Sequence, residues 1–182
     1  MNGNKNRQLM QPNLYRIAMI GPESTGKTTM CIQLSEYFKT VCVPEFAREY
    51  FPTLKQPYTK NDVLYCAEMQ IKKEDALSDQ ANKLLFADTE LINIKIWLLD
   101  KYGECPTWIE EKIMERKYNL YLLTTPDILF EKDPLRENPE RREYFFNVYK
   151  AELESRNFPY AIISGNEKAR FEKARGAVRF RF

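Results

Sequence analysis

Gly21-Pro22-Glu23-Ser24-Thr25-Gly26-Lys27-Thr28-Thr29 carries the spacing Gly-x4-Gly-Lys-Thr directly after the apolar run Ile17-Ala18-Met19-Ile20. The chemistry this pattern suits is polyphosphate binding. Gly21 and Gly26 permit backbone angles closed to residues with a Cβ, so the loop curls and turns successive N–H groups toward phosphate oxygens. Lys27 adds a point charge, the Thr28 hydroxyl is a ligand for Mg²⁺, and Thr29 is placed to reach an α-phosphate. A helix predicted from about Lys27 to Lys39 starts beneath the phosphates and points its positive dipole end at them. Gly21, Glu23, Ser24, Thr25, Gly26, Lys27, Thr28 and Thr29 are therefore expected to hold a nucleoside triphosphate with Mg²⁺. A glycine turn that merely caps a core helix needs no such order of strand, loop, lysine and hydroxyl.

Phosphoryl transfer also requires a carboxylate near the metal or the attacking hydroxyl, and cations that offset charge in the transition state. Histidine is absent from the chain, so acid–base work falls to carboxylates and any His-x-Gly-His adenylyltransferase is excluded. Asp88, at the end of the apolar run Leu84-Leu85-Phe86-Ala87, stands where a carboxylate holds Mg²⁺ directly or through water. It can equally cap the helix that follows. Glu45 lies at the tip of a second short strand and is the preferred general base or substrate-orienting carboxylate, against the plainer reading of a solvated surface side chain. Arg48, one helical turn on, could orient Glu45, touch a phosphate or form a surface ion pair.

The segment from Asp133 to Arg142 mixes arginines with prolines after a strand and before a helix, which is lid composition. Arg136, Arg141 and Arg142 are placed to swing over the triphosphate, exclude water and stabilise charge, although Arg142 can instead pair along its own helix. Tyr50 and Trp97 are candidates to stack on a flat substrate ring, with a core role as the alternative.

These groups need a scaffold that brings distant segments together. Apolar strands at about 14–20, 40–43, 84–87, 120–123 and 160–163 alternate with helical segments, among them Thr59 to about Ala81, Leu91 to Tyr102 stopped at Gly103, and about Trp108 to Lys117. The pattern predicts an α/β three-layer fold. Its five-stranded parallel sheet, in the order 2-3-1-4-5, has helices on both faces and a lid. The 182 residues suit one domain, with a mobile lead-in over residues 1–12.

With 28 basic and 26 acidic side chains the net charge is +2, which argues against a general nucleic-acid surface. Lys168, Arg170, Lys173, Arg175, Arg179 and Arg181 then read as a solvated terminal helix. Cys31, Cys42, Cys66 and Cys105 are scattered without metal or redox spacing, and no cleavable leader or membrane span is visible. The expectation is a cytoplasmic protein with reduced thiols, acting on a small molecule without nucleic-acid or membrane partners.

The same residues in the same order resemble the ribosylnicotinamide kinase domain of the NadR-type NAD salvage proteins. The likeness rests on the loop at 21–29, Val-Pro-Glu-Phe-Ala-Arg-Glu-Tyr at 43–50, Phe-Ala-Asp-Thr-Glu at 86–90, Ile-Trp at 96–97, Tyr-Leu-Leu-Thr at 121–124, Asp-Pro-Leu-Arg at 133–136 and Ile-Ile-Ser-Gly at 162–165. It spans nearly the whole sequence. The resemblance implies ATP-dependent phosphorylation of the 5′-hydroxyl of nicotinamide riboside, giving nicotinamide mononucleotide. The helix-turn-helix and nucleotidyltransferase segments that such proteins can carry have no counterpart here, so the expected product is the mononucleotide. A cationic, flat pyridinium ring would suit an acidic pocket with aromatic walls, built from Glu45, Glu49, Tyr50 and Trp97. Two other readings stay open: a kinase for another nucleoside or small metabolite, and a nucleotide-dependent regulatory switch.

Overall fold

The computed structural model describes residues 14–133, 136 and 138–182. The lead-in expected over residues 1–12, and Pro134, Leu135 and Glu137 of the expected lid, lie outside the described residues. Five parallel strands form one sheet in the order β2-β3-β1-β4-β5, as the sequence pattern predicts. They are β1 (Tyr15–Ile20), β2 (Val41–Val43), β3 (Leu84–Asp88), β4 (Leu120–Thr124) and β5 (Tyr160–Ile163). The helices are α1 (Lys27–Phe38), α2 (Phe46–Tyr50), α3 (Lys60–Ser78), α4 (Leu91–Tyr102), α5 (Thr107–Glu115), α6 (Arg142–Ser155) and α7 (Glu167–Arg181).

Strand periodicity explains the three layers. Ile17 and Met19 of β1 join Leu84, Phe86, Leu120 and Leu122 on one face, where Met30 and Leu34 of α1 and Ala174 and Val178 of α7 cover them. Ala18 and Ile20 join Leu85, Ala87, Tyr121 and Leu123 on the other, beneath residues of α3, α4, α5 and α6. A strand buried on both faces reads as a continuous apolar run, and Ile17 through Ile20 are all fully buried. Register then aligns Met19 with Asp88 and Ala87 with Val43, so the loop after β1, the carboxylate of β3 and the Pro44–Glu45 turn after β2 emerge at one end of the sheet.

Local signals end the helices where expected. Thr59 and Asp62 form a reciprocal capping box at the start of α3, and Gly103 closes α4 at φ 73°. α4 starts at Leu91, as the sequence pattern predicts, but the capping role left open for Asp88 is filled by another residue. Glu90, not Asp88, caps it, with a side-chain oxygen accepting from Ile92 N at 2.9 Å. Asp88 is thereby released from helix capping.

Two further expectations are corrected. Cys31 and Cys42 are joined in a disulfide rather than standing as separate thiols, because α1 packs beside β2 and brings their Cα atoms to 5.9 Å. Cys66 and Cys105 are free. Arg170 is not a solvated member of a basic helix; it is 3% exposed and its guanidinium donates to Gly165 O, Thr25 O and Thr125 O at 2.7–2.9 Å. The rest of the basic run does face outward, with Arg175 and Arg179 over the Tyr37 ring. Among the described residues no helix is long and apolar enough to cross a membrane.

Burial pushes the Glu90 carboxyl up to about 8, well above the ordinary range, with the nearby charges of Glu74 and Glu152 adding to the shift. Below the unfolded value both states carry the proton. Between that value and about 8 the folded chain holds a proton that the unfolded chain has lost, so stability falls as pH rises through this window. Replacing Glu90 by Gln is expected to flatten the decline, whose slope is at most about 1.4 kcal/mol per pH unit for one proton. Urea denaturation from pH 5 to 9 measures it, and an unchanged slope in Glu90→Gln contradicts the assignment.

Candidate active site

The loop after β1 is held by what lies under it. Gly21 sits at φ 133°, and a Cβ there would stand 2.7 Å from Thr124 Oγ1 and 2.8 Å from Thr124 O. Only glycine lets the loop lie this close to β4. Gly26, at φ 76°, turns the chain into α1. Thr25 is buried and braces the loop from within, its hydroxyl 2.6 Å from that of Thr124 and 2.8 Å from Pro22 O. Lys27 Nζ donates to Gly21 O and Pro22 O at 2.9 and 2.6 Å, which keeps the ammonium over the loop. Burial lowers the Lys27 pKa, and the carboxylates of Glu45 and Asp88 oppose that shift.

Thr28 Oγ1 donates to Asp88 Oδ2 at 2.6 Å. Asp88 Oδ1 is buried and has no partner among the described residues. A hydroxyl beside a carboxylate with a spare oxygen is a hard, all-oxygen donor pair, and it fits Mg²⁺, which takes one or two protein oxygens and completes its shell with phosphate and water. No group of three or more His, Cys, Asp or Glu side chains placed to hold a metal ion occurs among the described residues. Burial raises the Asp88 carboxyl above its usual range, against the Thr28 hydrogen bond and the charge of Lys27.

Glu45 follows Pro44 and precedes α2, so its side chain projects into the space beyond the loop. Arg48 Nε lies 3.0 Å from Glu45 Oε2, while its Nη1 donates to Asp133 Oδ2 at 3.0 Å. Arg48 thus ties the β2 tip to the segment after β4. Desolvation raises the Glu45 carboxyl most and the Asp88 charge raises it further, with Arg48 and Lys27 acting in the opposite sense.

The arginine segment lies on the loop, in two different ways. Arg136 Nη1 donates to Glu131 O at 2.6 Å and reaches Ser24 Oγ at 3.3 Å. Arg142 donates to Ile128 O and to Ser24 O at 2.9–3.0 Å. Asn138 N donates to Glu23 Oε2 at 3.0 Å, so Glu23 and Ser24 anchor this cover. Arg141 faces the other way, pairing with Asp100 of α4 at 2.5 and 3.0 Å and lying over the rings of Tyr144 and Phe145.

A single cavity of about 370 Å³ runs from the loop residues past Glu45 and Arg48 to an aromatic wall. Trp97 belongs to that wall. Phe51 and Tyr58 complete it, their rings stacked at 4.6 Å, and Trp97 meets both edge-on at 5.3 and 5.1 Å. Sequence reasoning passed over Phe51 and Tyr58 because they sit in an irregular stretch without periodicity. Their aromatic character beside Pro52 and Pro57 was the available signal. Tyr50 is placed elsewhere, with its hydroxyl on Asp62 and its ring beside Phe46 and Tyr65. Glu49 pairs with Lys73 away from the cavity. The arrangement can hold a polyphosphate at one end and a flat ring at the other, with Glu45 between them.

A family model described as an AAA domain matches residues 16–170. The chain is 24% identical over 156 residues to the trifunctional NAD biosynthesis/regulator protein NadR of Escherichia coli (strain K12), covering 81% of this chain and 37% of that one. Among solved structures, NadR protein in complex with NR superposes with a TM-score of 0.80 at 19% identity, over 92% of this chain and 51% of the other. NadR protein in complex with NAD and AMP-PNP gives 0.76 at 19% identity, over 92% and 49%. The chain therefore spans little more than a third of the curated relative and about half of the solved chains. Because the family match takes in the sheet, the phosphate loop and the arginine segment together, this chain belongs to the AAA domain family.

Proposed function

We propose that this chain is a NadR-type ribosylnicotinamide kinase, transferring the γ-phosphoryl group of ATP to the 5′-hydroxyl of nicotinamide riboside. The observation that carries the reading is one cavity joining the phosphate loop, Thr28 with its hydrogen bond to Asp88, Glu45 and an aromatic wall. The NadR relatives, seen with NR and with AMP-PNP, support the choice of acceptor and donor.

The roles follow from position. Loop amides from Gly21 to Thr29 and the Lys27 ammonium grip the phosphates. Thr28 and Asp88 would hold Mg²⁺, which supplies charge neutralisation at the phosphoryl group when bound. Glu45 takes the proton from the 5′-hydroxyl as its oxygen bonds to the γ-phosphorus; the bond to the bridging oxygen breaks and ADP leaves. Arg48 orients Glu45, and Arg136 and Arg142 secure the cover that keeps water from competing as acceptor. Trp97, with Phe51 and Tyr58, gives a cationic ring an aromatic surface. Arg141 acts through Asp100 at the cavity wall rather than on the triphosphate. ATP-dependent salvage of a nucleoside belongs in the cytoplasm, where the Cys31–Cys42 link would have to resist a reducing thiol pool.

Purified chain with Mg-ATP and a nucleoside panel should release ADP only with nicotinamide riboside; hydrolysis without an acceptor would mark a switch instead. Loss of Lys27 in Lys27→Ala should lower kcat/KM by about 10²–10³-fold, and near-normal turnover would remove the loop from the mechanism. Because the Glu45 carboxyl is raised, the acid limb of the kcat profile should lie above the ordinary carboxylate range. Glu45→Gln should lose that limb and lower kcat by about 10²–10⁴-fold with ATP affinity unchanged. Weakened ATP binding with intact kcat would make Glu45 structural.

A further inference from the structure

We propose that Asn93 of α4 and Tyr149 of α6 form a recognition site for the vicinal hydroxyls of a ribose on the acceptor substrate. The inference rests on the reading of the cavity as a nucleoside acceptor site and adds the residues that choose the sugar.

Both side chains line the cavity between the phosphate loop and the aromatic wall. Asn93 Nδ2 donates to the Tyr149 hydroxyl at 3.2 Å, which fixes the amide plane. Asn93 Oδ1 is buried and has no partner among the described residues, an arrangement that a native site rarely leaves without a purpose. The Tyr149 oxygen accepts from Asn93, and its own proton has no acceptor among the described residues. Side by side, the pair offers one acceptor and one donor. A hydroxyl both donates and accepts, and two adjacent hydroxyls satisfy both groups at once. A hydroxyl also pairs with the amide in either orientation about χ2, where a carboxylate or an ammonium suits only one.

Position selects the sugar rather than the ring. Asn93 precedes Trp97 by one helical turn, about 6 Å along the axis, and it lies on the side nearer Asp88. That is the step between a stacked base and the sugar that carries it. Tyr149 is 7% exposed, and the charges of Glu45, Glu23 and Glu90 add to burial in raising its hydroxyl pKa. It stays protonated as a donor, and its coupling to Glu45 places it electrostatically beside the candidate base.

The test compares kcat/KM for nicotinamide riboside and its 2′-deoxy and 3′-deoxy analogues in wild type, Asn93→Ala and Tyr149→Phe. Adenosine and its deoxy analogues run in parallel. Wild type should prefer the ribonucleoside by roughly ten-fold or more, since the analogue leaves a buried polar group unpaired. In Asn93→Ala the preference should shrink to within about three-fold, with the ribo substrate losing most, and Tyr149→Phe should shrink it in part. Tyr149→Phe keeps the ring and its packing, so the comparison stands if Asn93→Ala fails to fold. Turnover of adenosine but not nicotinamide riboside, with the same collapse of preference, would sink the assigned base and leave the sugar site intact. A wild type indifferent to the missing hydroxyls, a preference unchanged in both variants, or no turnover of any ribonucleoside overturns the proposal. A merely structural contact between α4 and α6 would lower all rates together and leave the ratio alone.

Discussion

The close approach of Gly21 to Thr124 is the constraint on which the site depends. Packing a backbone CH₂ against the end of β4, where a Cβ would collide, fixes the height of the loop over the sheet. The Thr25 and Thr124 hydroxyls then meet at 2.6 Å, and Lys27 is drawn over the carbonyls of Gly21 and Pro22. Arg170 from α7 and Arg142 from α6 seize carbonyls of Thr25 and Ser24 from outside. The loop is thus pinned from beneath and gripped on two sides, which keeps its amides aimed before any phosphate arrives. A preorganised site of this kind avoids reorganising at the moment of reaction.

A second constraint joins the loop to Glu45. α1 begins at Lys27 and Thr28, and β2 leads to Glu45; the Cys31–Cys42 bond links the second turn of one to the middle of the other. Thr28 reaches across to Asp88 on β3, which pairs with both β1 and β2. Lys27, Asp88 and Glu45 therefore sit on elements tied covalently, by a ladder and by a hydrogen bond. Their mutual influence on one another's protonation is the electrostatic trace of that closeness.

Much of this was legible because it is local or periodic. The loop declares itself in nine residues, the strands in runs buried on both faces, and the stops of α3 and α4 in Thr59, Asp62 and Gly103. What escaped depends on segments that meet only after folding. Arg170 looks like one cation in a basic helix until α7 lays it against the loop. Cys31 and Cys42 have no motif spacing because a helix and a strand, not a turn, bring them together. Phe51 and Tyr58 carry no period, and Arg141 sits one residue from Arg142 yet turns to Asp100, because a helix start sends consecutive side chains to different faces. Glu90 rather than Asp88 is the cap for a similarly geometric reason: Thr89 adopts φ 71°, and the cap lies two residues beyond the end of β3.

The cap at Glu90 has consequences around the start of α4. With Glu90 spending its carboxyl oxygen on Ile92 N, Asp88 keeps one oxygen for Thr28 and another that has no partner among the described residues. The cavity-facing positions Asn93, Trp97 and Asp100 recur along α4 at helical spacing, so one rigid element sets out an amide, an aromatic ring and an acidic rim in sequence. A rigid helix fixes these intervals far more tightly than a loop would. The span of the cavity thus follows from helix geometry: a ligand engages the loop and the aromatic wall at once only where its length matches the rise of α4.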